Sequence, residues 1–535
     1  MLYICKVNNK KKNTMITATL TDDKKWIYVD GNPDEVDQIR LTFTKKINSW
    51  FIIKKKNPDA NVEEAFMNHL GIIPVGLWVE LVNVCVEYNY YLSFSPDFND
   101  SIKNHTVSEE SYKTYIDTLF QNKDFQPRDY QYDAVYNMLK YNNCCVEIST
   151  SGGKTLMSYM LFRYMKDVMG VKHILFVTPK TNLTTQSVDK FIAYDKLNGK
   201  ESDWTYGEIH ANAKKKESYD DNIVFGNYQS LVRKKKEFFE QFECVIIDEA
   251  HHATNTSCRV ILKRCVNAKY KIGMTGTFPK NESYDSFVLQ SYIGPVVYRL
   301  TSHELINEKQ VATPVHVNVI EMKYLEDDKL SALYNLRNVS KSDDPTIGGK
   351  ILNTEKDVAR ENSRRLSFIC NMIAKTTKNS LVIFTDVQTE YGRSVYNHLR
   401  ESTTKNVYYI DGGTPTAVRA QIKDAMEDDL SQNTIIVASI GCFSEGIDIC
   451  NMWNIFLVES TKSDNIMAQL LGRGMRMFEG KDKTVLVDFV DDFRYGGGFY
   501  QDNYLYKHGR ERIEIYCKRG FPCNVISVDL TKINI

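Results

Sequence analysis

The sequence has no excess of either charge: Lys and Arg together number 68, and so do Asp and Glu. Global electrostatics therefore select no polyanionic partner, and any affinity for nucleic acid has to come from local patches. Triple lysines at 10–12, 54–56, 214–216 and 234–236 are candidates, each with a solvated turn as the plain alternative. Also missing is any long uncharged apolar run of the kind that spans a bilayer, and the N-terminus turns basic too early for a signal peptide. The expectation is a soluble, cytoplasmic protein. The 12 cysteines form no CxxC pair and no metal-ligand spacing. Several lie in apolar runs such as CCVEIS and ECVIID, which reads as reduced core residues. No short-period repeat, low-complexity tract or PD-(D/E)xK-like nuclease signature is present.

What the sequence does have is a repeating texture. With 535 residues it is long enough for about three or four domains. From Cys145 onward, short β-branched apolar runs alternate with turns and helical stretches: 145–149, 173–178, 222–227, 244–248 and 270–274, then 314–320, 381–385, 407–410, 434–439, 454–458 and 484–490. Continuous hydrophobicity marks strands covered on both faces, hence parallel α/β sheets. Two α/β domains in tandem are predicted, at 123–310 and 311–495. A small α+β domain is expected over 1–95, with WIYVD and WFIIKKK as strands and a helix within 75–91. A linker is expected over 96–122, a surface excursion over 326–355 and a helical end over 496–535.

The chemistry centres on ISTSGGKT, residues 148–155. Gly152 and Gly153 let backbone N–H groups approach phosphates, with Thr150 and Ser151 beside them, while Lys154 and Thr155 reach phosphate and Mg²⁺. The loop is imperfect, since Ile148 stands where a phosphate loop usually opens with glycine. Its context is right: a strand precedes it and the helical run LMSYMLFRYMKDV follows. Asp248 and Glu249 end a later apolar strand, where side chains point into the ligand crevice of a parallel sheet. Asp248 suits Mg²⁺, and Glu249 suits orientation and deprotonation of water. Arg128 and Gln131, just before the first strand, are candidates for adenine recognition; helix capping is the alternative. Gln469, Arg473 and Arg476 lie in QLLGRGMR, where the arginines face one way on a helix. They serve a transferring phosphoryl group if an anion lies opposite, and are otherwise a basic surface helix.

In order and content these pieces resemble the motifs of superfamily-two helicases: RDYQ at 128–131, the loop at 148–155, VTPKTNLTTQ at 177–186, GNYQSL at 226–231, DEAHH at 248–252, TGT at 275–277, FTD at 384–386, SEGID at 444–448 and QLLGRGMR at 469–476. The flanking segments KKINSWFIIKKK, IPVGLWVELVNVCVEYNYYLSFSP and LYKHGRERIEIYCKRGFPCNVISVDL look like those of the UvsW helicases of tailed phages.

The resemblance implies two RecA-like domains around ATP and Mg²⁺, with Gly446 and Asp448 added to the nucleotide site. It implies DNA as partner, with RNA–DNA hybrid as a further substrate, and a monomer acting on branched DNA. His251, His252, Thr275 and Thr277 are candidate couplers, with core or capping roles as the alternative. Pro179, Lys180, Thr181, Gln186, Asn227, Gln229, Thr385 and Ser439 are candidate nucleic-acid contacts. Trp26, Trp50 and Phe51 of the small domain offer base stacking or, alternatively, its own core. An RNA helicase, a restriction-type duplex translocase and a non-hydrolysing ATP-dependent clamp remain open from the motifs alone.

Overall fold

The computed structural model describes residues 15–533 except 49, 122–124, 202, 212, 214–220, 325–327, 338, 340–345, 445–448, 462–463 and 495–501. Lys10–Lys12, Lys214–Lys216, Gly446 and Asp448 therefore lie outside the described residues. Internal packing divides the chain into two units, residues 1–148 with 152–300, and 301–535 with 149–151.

The first unit contains a seven-stranded sheet. In spatial order its strands are Val296–Leu300, Asn143–Ile148, Tyr270–Thr275, Cys244–Asp248, Ile174–Thr178, Ile223–Asn227 and Tyr206–Ile209. Every pairing is parallel, as the continuous apolar runs require. Cys145, Leu175, Val177, Val224, Val245 and Ile247 fill one core beneath it.

A second, four-stranded sheet of order Ile72–Pro74, Trp26–Asp30, Met15–Leu20, Tyr91–Phe94 forms the N-terminal part. Strict alternation puts Ile16, Ala18, Ile27 and Val29 inside, and leaves Met15, Trp26, Tyr28 and Tyr91 on the outer face. This sheet is not tethered loosely. Its core continues into Tyr284, Phe287 and Val288 of the helix Tyr284–Tyr292, and Gln290 donates to Glu80 at 2.8 Å across the same contact.

Three readings of the sequence need correction. WFIIKKK is a helix, Trp50–Lys56. The sheet positions are taken by other strands, the lysines are good helix formers, and Asn57 N–H closes the last turn on Ile53 O. The segment 96–122 is not an extended linker: Phe98–Ile102 and Glu109–Leu119 are helices, and Tyr112 is fully buried against Tyr164. The stretch 326–355 is not a surface excursion. Its described part forms helices Asp328–Arg337 and Ile347–Glu361, whose Leu333, Ile351 and Val358 share a core with Phe493 and Leu505.

The second unit is built on strands Asn406–Ile410, Thr434–Ser439, Ser380–Phe384, Asn454–Leu457, Thr484–Asp492, Val315–Lys323 and Cys523–Asp529, again all parallel. The expected helix near the C-terminus is Tyr504–Lys518, but the chain then returns to add the edge strand Cys523–Asp529. Two fully buried ion pairs lie beneath this sheet, Arg512 with Asp488 and Arg365 with Asp491. Of the described cysteines, eight are buried and none is in a disulfide. Among the described residues no helix is long and apolar enough to cross a membrane.

Candidate nucleotide and nucleic-acid sites

Parallel pairing brings the carboxyl ends of neighbouring strands level with one another. In the first unit the strands ending at Ile148, Thr275 and Asp248 are adjacent, followed by those ending at Thr178 and Asn227. Residues 148–155 and 248–249 thus lie over three adjacent strands, and residues 179–186 and 227–229 over the next two.

The phosphate loop is shaped by positive backbone angles at Ser151 (φ 75) and Gly153 (φ 84), directly before the helix Lys154–Asp167. Such a nest of N–H groups at a helix N-terminus is suited to anions. Gly153 is required twice over. Its φ is left-handed, and a Cβ there would lie 2.3 Å from Gln131 Nε2. Gln131, 4 % exposed, is committed to the protein: Oε1 accepts from Arg128 N–H at 2.9 Å, and Nε2 donates to Gly152 O at 3.2 Å. Gln131 thus caps the helix Asp129–Lys140, and its amide also steadies the phosphate loop.

Lys154 Nζ lies 3.4 Å from Ile148 O and 3.7 Å from Glu249 Oε1. Glu249 itself sits in a left-handed conformation (φ 50), a local strain of about 1–3 kcal/mol of the kind concentrated at functional sites. Burial pushes the Asp248 carboxyl up to about 6, helped by neighbouring Glu249 and opposed by Lys154. Burial acts on Glu249 too, but Lys154, His251, His252 and the Gly276 N–H together hold it below the usual carboxylate range. The two adjacent carboxyls are thus shifted in opposite directions by their surroundings.

The Thr155 hydroxyl and Asp248 carboxylate are hard oxygen donors of the kind Mg²⁺ prefers. The described residues form no group of three or more His, Cys, Asp or Glu placed to hold a metal.

The four coupling candidates form one chain. His251 Nδ1 is 2.9 Å from Thr275 Oγ1, 3.4 Å from Thr277 Oγ1 and 3.5 Å from Glu249 Oε2. Burial pushes the His251 imidazolium down to about 4, opposed by the neighbouring Glu249 carboxylate. The His252 ring lies tilted against that of His251, 4.3 Å between ring centroids.

The nucleic-acid candidates divide. Lys180, Thr181 and Gln186 are half-buried, and Gln229 is exposed at the strand ends. Asn227 is 4 % exposed and joins two motifs internally, donating to Thr181 Oγ1 at 2.8 Å and accepting from Ser230 N–H at 2.9 Å. Pro179 is buried. Ser439 is 2 % exposed, and its hydroxyl accepts from Cys442 N–H at 3.4 Å. Asn227 and Ser439 thus engage neighbouring groups of the chain itself.

In the second unit, Arg473 and Gln469 lie on the helix Asp464–Gly474, and Arg476 follows it. Arg473 is 9 % exposed, Gln469 is half-buried, and burial pushes Arg476 down to about 10, with Glu427 its opposing partner. Thr385 is held by a residue the sequence reading passed over. Glu459 accepts from Thr385 N–H at 2.6 Å, Thr385 Oγ1 at 3.1 Å and Asp386 N–H at 3.1 Å, and from Arg360 Nε at 2.6 Å. The signal was available, because Glu459 is an acid at the end of an apolar parallel strand, as Asp248 is.

The family model of the type III restriction enzyme res subunit matches residues 124–280, and that of the helicase conserved C-terminal domain matches 364–478. The ATP-dependent DNA helicase UvsW of Enterobacteria phage T4 is 27% identical over 479 residues, covering 87% of this chain and 89% of that protein. The chain is a superfamily-two helicase. As such it is an ATP-dependent enzyme acting on nucleic acid, converting ATP to ADP and phosphate. A putative ATP-dependent helicase of Saccharomyces cerevisiae, IRC3, is 24% identical over 68% of this chain and 51% of its own length. Among solved structures, the ATP-dependent Type ISP restriction-modification enzyme LlaBIII bound to DNA shares the fold, with a TM-score of 0.55, 17% identity and coverage of 85% of this chain and 36% of that one.

Proposed function

We propose that this helicase remodels branched DNA, driving branch migration at forks and four-way junctions and unwinding R-loops, in recombination, repair and replication control. The observation that carries the reading is the extent of the likeness to phage T4 UvsW, which covers 87% of this chain. The motor models match only 124–280 and 364–478, so the likeness runs well outside the segments that helicases of every substrate class share.

In this reading Lys154 and the loop N–H groups bind the triphosphate. Thr155 and Asp248 hold Mg²⁺, which when bound neutralises phosphate charge. Glu249 orients water and accepts its proton. Arg473 and Arg476 stabilise the charge developing on the transferred phosphoryl group, a role worth about 10³–10⁵ in rate, with Gln469 orienting the same groups. His251, Thr275 and Thr277 relay the state of Glu249 to the strand end at Thr275. Lys180, Thr181, Gln186 and Gln229 contact sugar–phosphate backbone, so sequence is not read. The exposed face bearing Trp26 and Tyr28 gives the N-terminal sheet a surface for unpaired bases near a branch point, since aromatic stacking is indifferent to base identity. RNA–DNA hybrid is a second substrate, and the active species is a monomer in the host cytoplasm.

The test is strand displacement by purified protein with ATP on three labelled substrates: a mobile four-way DNA junction, an R-loop and an RNA duplex. The junction and the R-loop are expected to be resolved and the RNA duplex left intact. Activity confined to the RNA duplex would replace this reading with an RNA helicase.

A further inference from the structure

After the helix carrying Arg473 the chain turns at Gly480 and presents Lys481. Its ammonium donates to three backbone carbonyls: Arg476 O at 3.0 Å, Gly474 O at 3.1 Å and Cys450 O at 3.3 Å. An ammonium has three N–H donors and no acceptor, so this arrangement uses all of them. Two of the acceptors are the terminal carbonyls of the arginine-bearing segment, where a cation also meets the negative end of the helix. The third belongs to the segment directly after 445–448, the other stretch of this unit assigned to the nucleotide.

Other groups hold the same segment less completely. Thr313 Oγ1 donates to Arg476 O at 2.9 Å, and Thr484 Oγ1 donates to Gly474 O at 2.7 Å. Neither reaches Cys450. Lys481 is the donor that ties the two segments to one atom.

We infer that Lys481 is a positioning residue for ATP hydrolysis, fixing the backbone that carries Arg476 relative to the segment at Cys450. The inference rests on the reading of Arg476 as a phosphoryl-stabilising arginine. The charged and titratable groups facing the ammonium are Cys450, Glu427 from the helix Thr416–Glu427, and Arg476 itself. Glu427 Oε2 in turn accepts from Cys450 N–H at 2.8 Å. Burial lowers the Lys481 pKa from 10.5 to about 8, opposed by Cys450 and Glu427 and assisted by Arg476. The amine therefore carries its proton below about pH 8 and loses it above. The neutral form has two N–H groups and one lone pair for three carbonyls, so one carbonyl is left facing a lone pair.

The experiment is steady-state ATP hydrolysis, stimulated by DNA, from pH 6.5 to 9.5 for the wild type, Lys481→Met, Lys481→Arg and Arg476→Ala. For Lys481→Met, kcat is expected to fall about 10–10²-fold, the scale of a small misplacement of a catalytic group, with KM for ATP little changed. The wild-type kcat should decline above about pH 8. Lys481→Arg, whose charge persists across the range, should recover most of the activity and lose the decline. Wild-type kcat in Lys481→Met, or the same alkaline decline in Lys481→Arg, overturns the inference and leaves the reading of Arg476 standing. Full activity in Arg476→Ala removes that reading, and this inference with it. Should Lys481→Met fail to fold, the comparison of wild type with Lys481→Arg decides.

Discussion

Replacing Glu249 by glutamine is expected to lower ATP turnover by about 10²–10⁴-fold, the usual contribution of a positioned general base, while ATP binding is retained. The argument is electrostatic as well as geometric. Lys154 at 3.7 Å, His251 at 3.5 Å and the Gly276 N–H all favour the ionised carboxylate, whereas Asp248 next to it has its carboxyl pushed up to about 6. The surroundings thus shift two adjacent acids in opposite directions. The amide keeps the shape of Glu249 and its contact with Lys154, but it cannot take a proton from water. The measurement is single-turnover phosphate release alongside equilibrium binding of a fluorescent ATP analogue. Release within about threefold of wild type would remove Glu249 from the chemical step; loss of binding would instead assign it to holding the nucleotide.

The largest stability effect is expected at the ion pair beneath the second sheet. Arg512 Nε and Nη2 each donate to the Asp488 carboxylate at 2.8 Å, Tyr516 Oη donates to it at 2.8 Å, and both charged side chains are fully buried. Arg512 also donates to Thr461 O at 2.8 Å, so it fastens the helix Tyr504–Lys518 to both the strand Thr484–Asp492 and the segment after Leu457. Removing one partner strands a buried charge, which costs about 3–5 kcal/mol. Asp488→Ala is expected to unfold this unit at a temperature lower by roughly 6–20 °C, as followed by calorimetry. The double variant Asp488→Leu with Arg512→Met should recover much of the loss, because what the single change costs is mostly the uncompensated charge. A single variant melting with the wild type would show that the pair is not sealed from water.

How legible each feature was follows from the range of the interactions that set it. Strands such as Ile174–Thr178 and Thr434–Ser439 were readable because burial on both faces writes itself as an unbroken apolar run. The phosphate loop and the Asp248–Glu249 pair were readable because their chemistry fixes residue type at the end of such a run. The helix Trp50–Lys56 was misread because Trp, Phe and Ile favour strands locally, and the tertiary context decided otherwise. The packing of 326–361 was hidden for a different reason. Glu355 is fully buried, paired with Arg337 at 2.8 Å and accepting from the N–H groups of Tyr504 and Leu505, and nothing in a polar stretch announces a partner about 150 residues away. The sequence is compatible with more than one role for Gln131, and its contacts with Arg128 N–H and Gly152 O are set by the tertiary fold. Lys481 has no signature in the sequence because its partners are backbone carbonyls, whereas Glu459, an acid at the end of an apolar strand, does.

The most direct measurement of the central claim is ATP hydrolysis by the purified chain, with and without DNA, compared with Lys154→Ala. The account predicts that DNA accelerates wild-type hydrolysis and that the variant shows neither basal nor stimulated turnover. Equal turnover by Lys154→Ala, or a wild-type rate indifferent to any nucleic acid, would contradict the assignment of residues 148–155 and 248–249 as the ATP site of a nucleic-acid motor.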